Sequence, residues 1–169
     1  GIRLIGPESG MLACGDEGAG RMSEPETIVD AIRELLNSKQ DLAGLKVLVT
    51  AGATRERLDP VRFLSNDSSG KMGFSIAEAA RDRGAEVTLV HGHVTAPVPV
   101  GVRIIRIESA LDLYDVMTRE THGQDIVIQA AAVCDYRVEN PSGCKIKKKE
   151  GEPLTLTLTE NPDVARAVG

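Results

Sequence analysis

The 169-residue chain has no tryptophan, two tyrosines and two phenylalanines. So few aromatic faces exclude a stacking platform for single-stranded nucleic acid and leave the core to aliphatic side chains. A basic excess is also absent: the formal net charge is −5, which argues against nucleic acid as a partner. No apolar run reaches the length of a membrane span, and no charged-then-apolar leader opens the sequence, so no membrane partner is expected. The three cysteines, Cys14, Cys134 and Cys144, form no CxxC pair. That spacing excludes the common zinc and dithiol motifs and predicts reduced thiols in a cytoplasmic protein. There is no internal repeat. Residue 1 is not methionine, and the sequence stops at ENPDVARAVG as a helix begins; the expectation is a piece of a longer chain.

What is present suits a globular domain, with 41% apolar and 27% charged residues. A short apolar piece at 2–5 precedes ESGMLACGDEGAGRM, whose glycines and small residues predict a loop around Cys14. Ser23 and Glu26 fit a capping box, and Ile28, Val29, Ile32, Leu35 and Leu36 recur at helical spacing, predicting a helix over 24–37. The polar stretch that follows marks a linker at 39–44.

Beyond it the pattern turns β-α-β. KVLVT (46–50), EVTLVHG, VRIIRIE (102–108) and DIVIQAAA (125–132) predict strands, with helices running to about Arg83 and after Ser109. AGATRERLDPVRFLSN is expected to be a long loop. Strands alternating with helices predict an α/β fold: a Rossmann-like parallel sheet with flanking helices. Near the C-terminal end, LTLTLT (154–159) alternates strictly, predicting a half-exposed β-ribbon or flap.

The chemistry is expected around SNDSSGKMG (65–73). Ser68, Ser69 and Gly70 would form the first turn of a helix, where unpaired N–H groups and the dipole favour an anion. Lys71 adds positive charge, and Gly52 lets the backbone approach a ligand. The plainer alternative is an ordinary N-cap followed by a solvated lysine. Three strand ends, TAGATRE, HGH and AAAVCDYR, fall on the sheet edge where open parallel sheets bind ligands. Neither GxxxxGK[ST] nor GxGxxG is present, so a P-loop enzyme and an NAD(P)-dependent reductase are both disfavoured. Lys145, Lys147, Lys148 and Lys149 form a cationic run that is either a solvated loop or a polyphosphate contact. Asp135 is either a turn cap or a ligand for Mg²⁺ on that polyphosphate. His91 and His93 form an HxH pair without a third ligand and are taken as loop residues.

TAGATRERLDPVRFLSNDSSGKMG, AAAVCDYR, KIKKK and ENPDV, in that order, resemble the phosphopantothenoylcysteine synthetase family of coenzyme A biosynthesis. GPESGMLACGDEGAGRMSEP resembles the end of the decarboxylase that is commonly fused ahead of it. The resemblance implies a division into a decarboxylase tail (1–38), a linker (39–44) and the N-terminal part of a synthetase domain (45–169). It implies ligation of 4′-phosphopantothenate to L-cysteine with CTP, through an acyl-cytidylate, by a homodimer using Mg²⁺. FMN would belong to the missing decarboxylase half. Site roles are implied likewise. Asn66 would handle the acyl-cytidylate and Lys145 the charge on the transferring phosphate. Gln129, Ala130, Ala131, Asp135 and the stretch Pro162, Asp163, Val164, Ala165 would contact the nucleotide. Cys14 would be the decarboxylase's proton donor, orphaned without its flavin-binding body. Asp67 departs from the family, which usually has His or another basic or polar residue there, and Cys134 replaces a common Ala. The residues alone leave cytosine and adenine open. They also leave open a non-catalytic nucleotide- or flavoprotein-type binding or regulatory module of the same fold.

Overall fold

The computed structural model describes residues 2–11, 17–36 and 40–169. Its backbone forms two compact units, Gly1–Lys39 and Gln40–Gly169. Cys14 lies outside the described residues. In the first unit, β1 (Glu8–Met11) pairs antiparallel with β2 (Glu17–Arg21), and α1 (Pro25–Leu36) follows. The stretch expected to be a Gly-rich loop is therefore largely a strand pair. Glycine weakens a strand, but a ladder needs only backbone groups, and Gly10 sits opposite Gly18 in this one.

The second unit is built on four parallel strands in the order β7-β6-β3-β8: β3 (Lys46–Ala51), β6 (Glu86–His91), β7 (Arg103–Arg106) and β8 (Ile126–Gln129). β3 alternates its side chains between two cores. Val47, Val49 and Ala51 meet Phe74, Ala77 and Ala80 of α2 (Lys71–Asp82), while Leu48 joins Leu113 and Met117 of α3 (Ala110–Glu120). Val164 of the short α4 (Val164–Val168) packs into that second cluster. The central strands β3 and β6 are thus covered on both faces, as their apolar runs require, while the edge strands β7 and β8 leave Ile104, Ile126 and Val127 exposed. Ser109 and Asp112 cap α3 reciprocally, at 3.1 and 2.8 Å.

Three expectations change here. AGATRERLDPVRFLSN is not a loop: it folds into the hairpin β4 (Arg55–Asp59) and β5 (Arg62–Ser65). The alternating LTLTLT segment is extended only at its end, where β10 (Leu158–Glu160) pairs with the three-residue β9 (Tyr136–Val138). The partner strand is short, and one further rung, Glu139 N–H to the Thr157 carbonyl, completes the pairing. Finally, α2 begins at Lys71, with Gly70 its N-cap at φ 79° and no side-chain cap. Ser68 and Ser69 precede the helix, because a residue at left-handed φ cannot form its first turn.

Among the described residues, no helix is long and apolar enough to cross a membrane.

Candidate functional site

The strand order places the first parallel strand, β3, between the second and the fourth. A crevice therefore opens beyond the carboxyl ends of β3 and β8, the position where chain direction reverses across the sheet. Two threonines from the TAGAT segment stitch this edge together. Thr50 Oγ1 accepts from the N–H groups of Ala130 (3.0 Å) and Ala131 (3.1 Å), and Thr54 Oγ1 accepts from Cys134 N–H (3.0 Å). Both threonines are buried. The N–H groups of Ala130 and Ala131 are thus already engaged, so a base could be read there through carbonyl oxygens and not through these donors.

The hairpin delivers Asn66 to the same edge. Ser65 Oγ donates to the Thr54 carbonyl at 2.7 Å, and the exposed Asn66 donates through Nδ2 to the Val133 carbonyl at 3.0 Å. Its amide oxygen and second N–H remain available to a ligand.

Beside it lies a cleft of about 400 Å³. Gln129, Ala131 and Asp135 form one wall, and Pro162, Asp163, Val164 and Ala165 the other. Ala130 adjoins this wall without lining it. Asn161, buried at the rim, ties the walls together: its side chain donates to the Cys134 carbonyl at 2.8 Å and its backbone N–H to the Asp135 carbonyl at 2.7 Å. Sequence reasoning missed Thr50, Thr54 and Asn161; the polar residues inside TAGAT and ENPDV were the available signal. Asp163 is committed to capping α4 through Arg166 N–H (3.0 Å). The Asp135 carboxylate has no hydrogen-bond partner among the described residues and is exposed. One free carboxylate on the wall of an open cleft fits Mg²⁺, which takes one or two carboxylates and completes its shell with phosphate oxygens and water. Among the described residues, no group of three or more His, Cys, Asp or Glu side chains could hold a metal ion by itself.

The Ser-Gly turn assembles around Gly52 and does not line this cleft. Gly52 (φ 76°) and Gly70 (φ 79°) are both in the left-handed region. A Cβ on Gly52 would lie 2.5 Å from the His93 carbonyl, and one on Gly70 would lie 2.5 Å from Val94 Cγ1. Ser69 is half-buried; its carbonyl accepts from Thr95 N–H and its hydroxyl from Lys71 N–H, both at 3.4 Å. Ser68 is half-buried as well, while Asp67 and Lys71 are exposed.

The lysines are placed elsewhere. Asp59, fully buried, accepts from Arg62 Nε (3.0 Å) and Nη2 (2.6 Å) and from Ile146 N–H (3.0 Å). Arg62 Nη2 also donates to the Ile146 carbonyl at 2.6 Å. Residue 146 is therefore held at both its N–H and its C=O against the hairpin turn. Lys147, Lys148 and Lys149 line a cavity of about 240 Å³ with Arg62 and Leu154. Lys145 is exposed and lines neither this cavity nor the cleft. The lysines and the Ser-Gly turn share neither of these two cavities, and the Asp59–Arg62 pair holds the lysine loop at the end of the hairpin opposite Asn66. Cys134 is buried, and burial pushes its thiol pKa up; Cys144 is exposed.

Residues 42–169 match the model of the family described as DNA/pantothenate metabolism flavoprotein C-terminal domain. The chain is 50% identical over 169 residues to the coenzyme A biosynthesis bifunctional protein CoaBC of Haemophilus influenzae, covering 100% of this chain and 42% of that protein. It is 46% identical to CoaBC of Escherichia coli K12, covering 99% of this chain and 42% of that one. The chain thus spans about two fifths of the length of these relatives. A crystal structure of the C-terminal domain of a CoaBC superposes with TM-score 0.67 at 38% identity, over 78% of this chain and 61% of that one.

Proposed function

This chain belongs to the family of the DNA/pantothenate metabolism flavoprotein C-terminal domain, and from that premise we propose that it carries the ligase site of a coenzyme A biosynthesis enzyme. The reaction is CTP-dependent joining of 4′-phosphopantothenate to L-cysteine through an acyl-cytidylate. One observation carries the reading: Asn66 is tied to Val133 at the crevice between β3 and β8, beside the cleft walled by 129–135 and 162–165. Transfer of a cytidylyl group to a carboxylate brings anions together, and a neutral amide can orient the acyl group there without adding charge. Asp135 would hold Mg²⁺, which screens the triphosphate from the attacking carboxylate. Glycine-lined backbone at Gly52 and Gly70, with Ser68, Ser69 and Lys71 alongside, would take the substrate's anionic end.

Residues 1–41 fall outside the family match. Their assignment to the tail of a decarboxylase, with Cys14 as its proton donor and FMN bound by the rest of that half, is part of the proposal and rests on motif resemblance. A cytoplasmic location belongs to it as well. The full-length protein is expected to release pyrophosphate from CTP once phosphopantothenate is present, and to turn over, releasing CMP, only when cysteine is present as well. CTP that neither binds nor turns over would instead favour the non-catalytic module.

A symmetric dimer would resolve the separation of Lys145 from the cleft, by presenting the lysine loop of one protomer to the partner. Full-length Asn66→Asp and Lys145→Ala variants, each inactive alone, are then expected to recover about a quarter of the wild-type rate when unfolded and refolded together. Half the dimers formed would be mixed, each with one intact site. No recovery from correctly mixed dimers would place Lys145 in its own chain's site or outside the chemistry.

A further inference from the structure

A second basic cavity opens where β6 and β7 end, at the other side of the sheet edge from β8. It has a volume of about 300 Å³, and its charged lining is Arg55 and Arg57 from β4, Arg106 from β7, and Glu108; His91 and His93 complete the rim. It shares no residue with the nucleotide cleft or the lysine cavity. Three permanent cations face one carboxylate here, a surplus of two positive charges in an acidic protein.

The arrangement is built, not incidental. Arg55 and Arg57 stand two positions apart on β4 and so share one side of the strand. Both guanidinium groups gather over the ring of Phe63, with Cζ at 4.1 and 5.6 Å from its centroid. The ring's negative face holds two like charges close together. Glu108 pairs with Arg57 at 2.5 Å, and its carbonyl accepts from Arg55 N–H at 2.7 Å. The Arg106 side chain has no ion pair or hydrogen bond among the described residues. Arg55 Nε is buried with no acceptor, and His91 Nε2 is buried with no partner while Nδ1 donates to the Gly92 carbonyl at 2.9 Å. His91 itself is only 5% exposed. More than nine in ten buried polar groups in proteins are hydrogen-bonded. Those two atoms, Arg55 Nε and His91 Nε2, lie beneath the cavity surface; what faces the cavity is the unpaired Arg106 guanidinium beside Arg55 and Arg57, positive charge that an anion would neutralise.

We propose that Arg55, Arg57 and Arg106 form a binding site for a phosphate group at the carboxyl ends of β6 and β7. A phosphate matches the charge surplus and offers several oxygens to forked donors. The site does not depend on the ligase reading. Its phosphate is either the free ion or the terminal group of a larger molecule, and the test separates these.

Calorimetry on the full-length protein would use inorganic phosphate, pyrophosphate and 4′-phosphopantothenate as separate titrants, for wild type and for Arg106→Glu. Arg106 is exposed and unpartnered, so its replacement should leave the fold intact; a melting curve checks this, and Arg55→Lys is the second variant. At least one titrant is expected to bind wild type and to weaken about tenfold or more in Arg106→Glu, equal to at least one decade in Kd. The titrant that Arg106→Glu weakens most identifies the source of the phosphate. CTP binding should be unchanged in the variant, so loss of CTP-dependent ligation and loss of this site would be told apart. If no titrant saturates wild type by about 10 mM, or if both variants bind as wild type does, the site does not exist.

Discussion

Replacing Asn66 by aspartate in the full-length protein is expected to lower the ligation rate by about a hundred- to a thousandfold, the range seen when one preorganised donor is removed from a reacting centre. The substitution keeps shape and volume, so packing is not at issue. It removes the Nδ2–H that donates to the Val133 carbonyl at 3.0 Å, and sets an anionic oxygen against that carbonyl. It also places two carboxylates in sequence, since Asp67 follows and is exposed. Two negative charges at the entrance would oppose both the triphosphate and the substrate carboxylate. The loss should fall mainly on kcat, because Asn66 acts on the group being transferred and not on the base. Steady-state assays with CTP, phosphopantothenate and cysteine measure it directly. A variant turning over at the wild-type rate would remove Asn66 from the site, and with it the observation on which the ligase reading stands.

Much of the sheet was legible because its central strands, β3 and β6, are buried on both faces and its edge strands are apolar as well. KVLVT, EVTLVH and IVIQ are continuous apolar runs, and the helices between them carry ordinary periodicity and, in α3, a capping box. The hairpin was not legible, and the reason is physical. Its strands are rich in Arg, Glu and Asp, which a hydrophobic pattern reads as solvent-facing, yet Glu56 and Asp59 are buried. Each has a partner far along the chain: Glu56 accepts from Ala110 N–H at 3.0 Å, and Asp59, beside its bonds from residues 61 and 62, from Ile146 N–H. No local window contains both partners. The same holds for Thr50, whose hydroxyl serves residues 130 and 131. LTLTLT failed in the opposite sense, since alternation shows compatibility with a strand but a ladder also needs a neighbour. Among candidate residues, the cleft members were accessible through motif order, while the separation of Lys145 from the cleft follows from a tertiary contact that motif order does not contain.

That contact supports the second large effect. Asp59 is a positioning residue, acting on the lysine loop through the peptide of Ile146. Its Oδ1 accepts from Val61 N–H (2.9 Å) and Arg62 N–H (2.8 Å), and its Oδ2 from Arg62 Nε and Nη2 and Ile146 N–H. Every partner is a donor, so Asp59→Asn must point its own NH₂ at donors whichever way the amide turns. The loop carrying Lys145 would be released, and kcat is expected to drop on the order of tenfold or more, with KM for CTP moving less. Arg62 lowers the Asp59 pKa first, burial opposes it, and the N–H groups of Val61, Ile146 and Arg62 lower it further; the carboxyl is held well below the usual range. A folded pKa below the unfolded value means stability that is present above about pH 4 and lost as pH falls below it. Wild type should therefore lose urea resistance more steeply than Asp59→Asn between about pH 5 and pH 3. The kinetic assay is made where melting curves show the variant fully folded, so that a merely structural defect would leave the kcat-to-KM split unmoved. Equal kcat and parallel pH–stability curves would show that residue 146 needs no such anchor, and that the lysines find their place by some other contact.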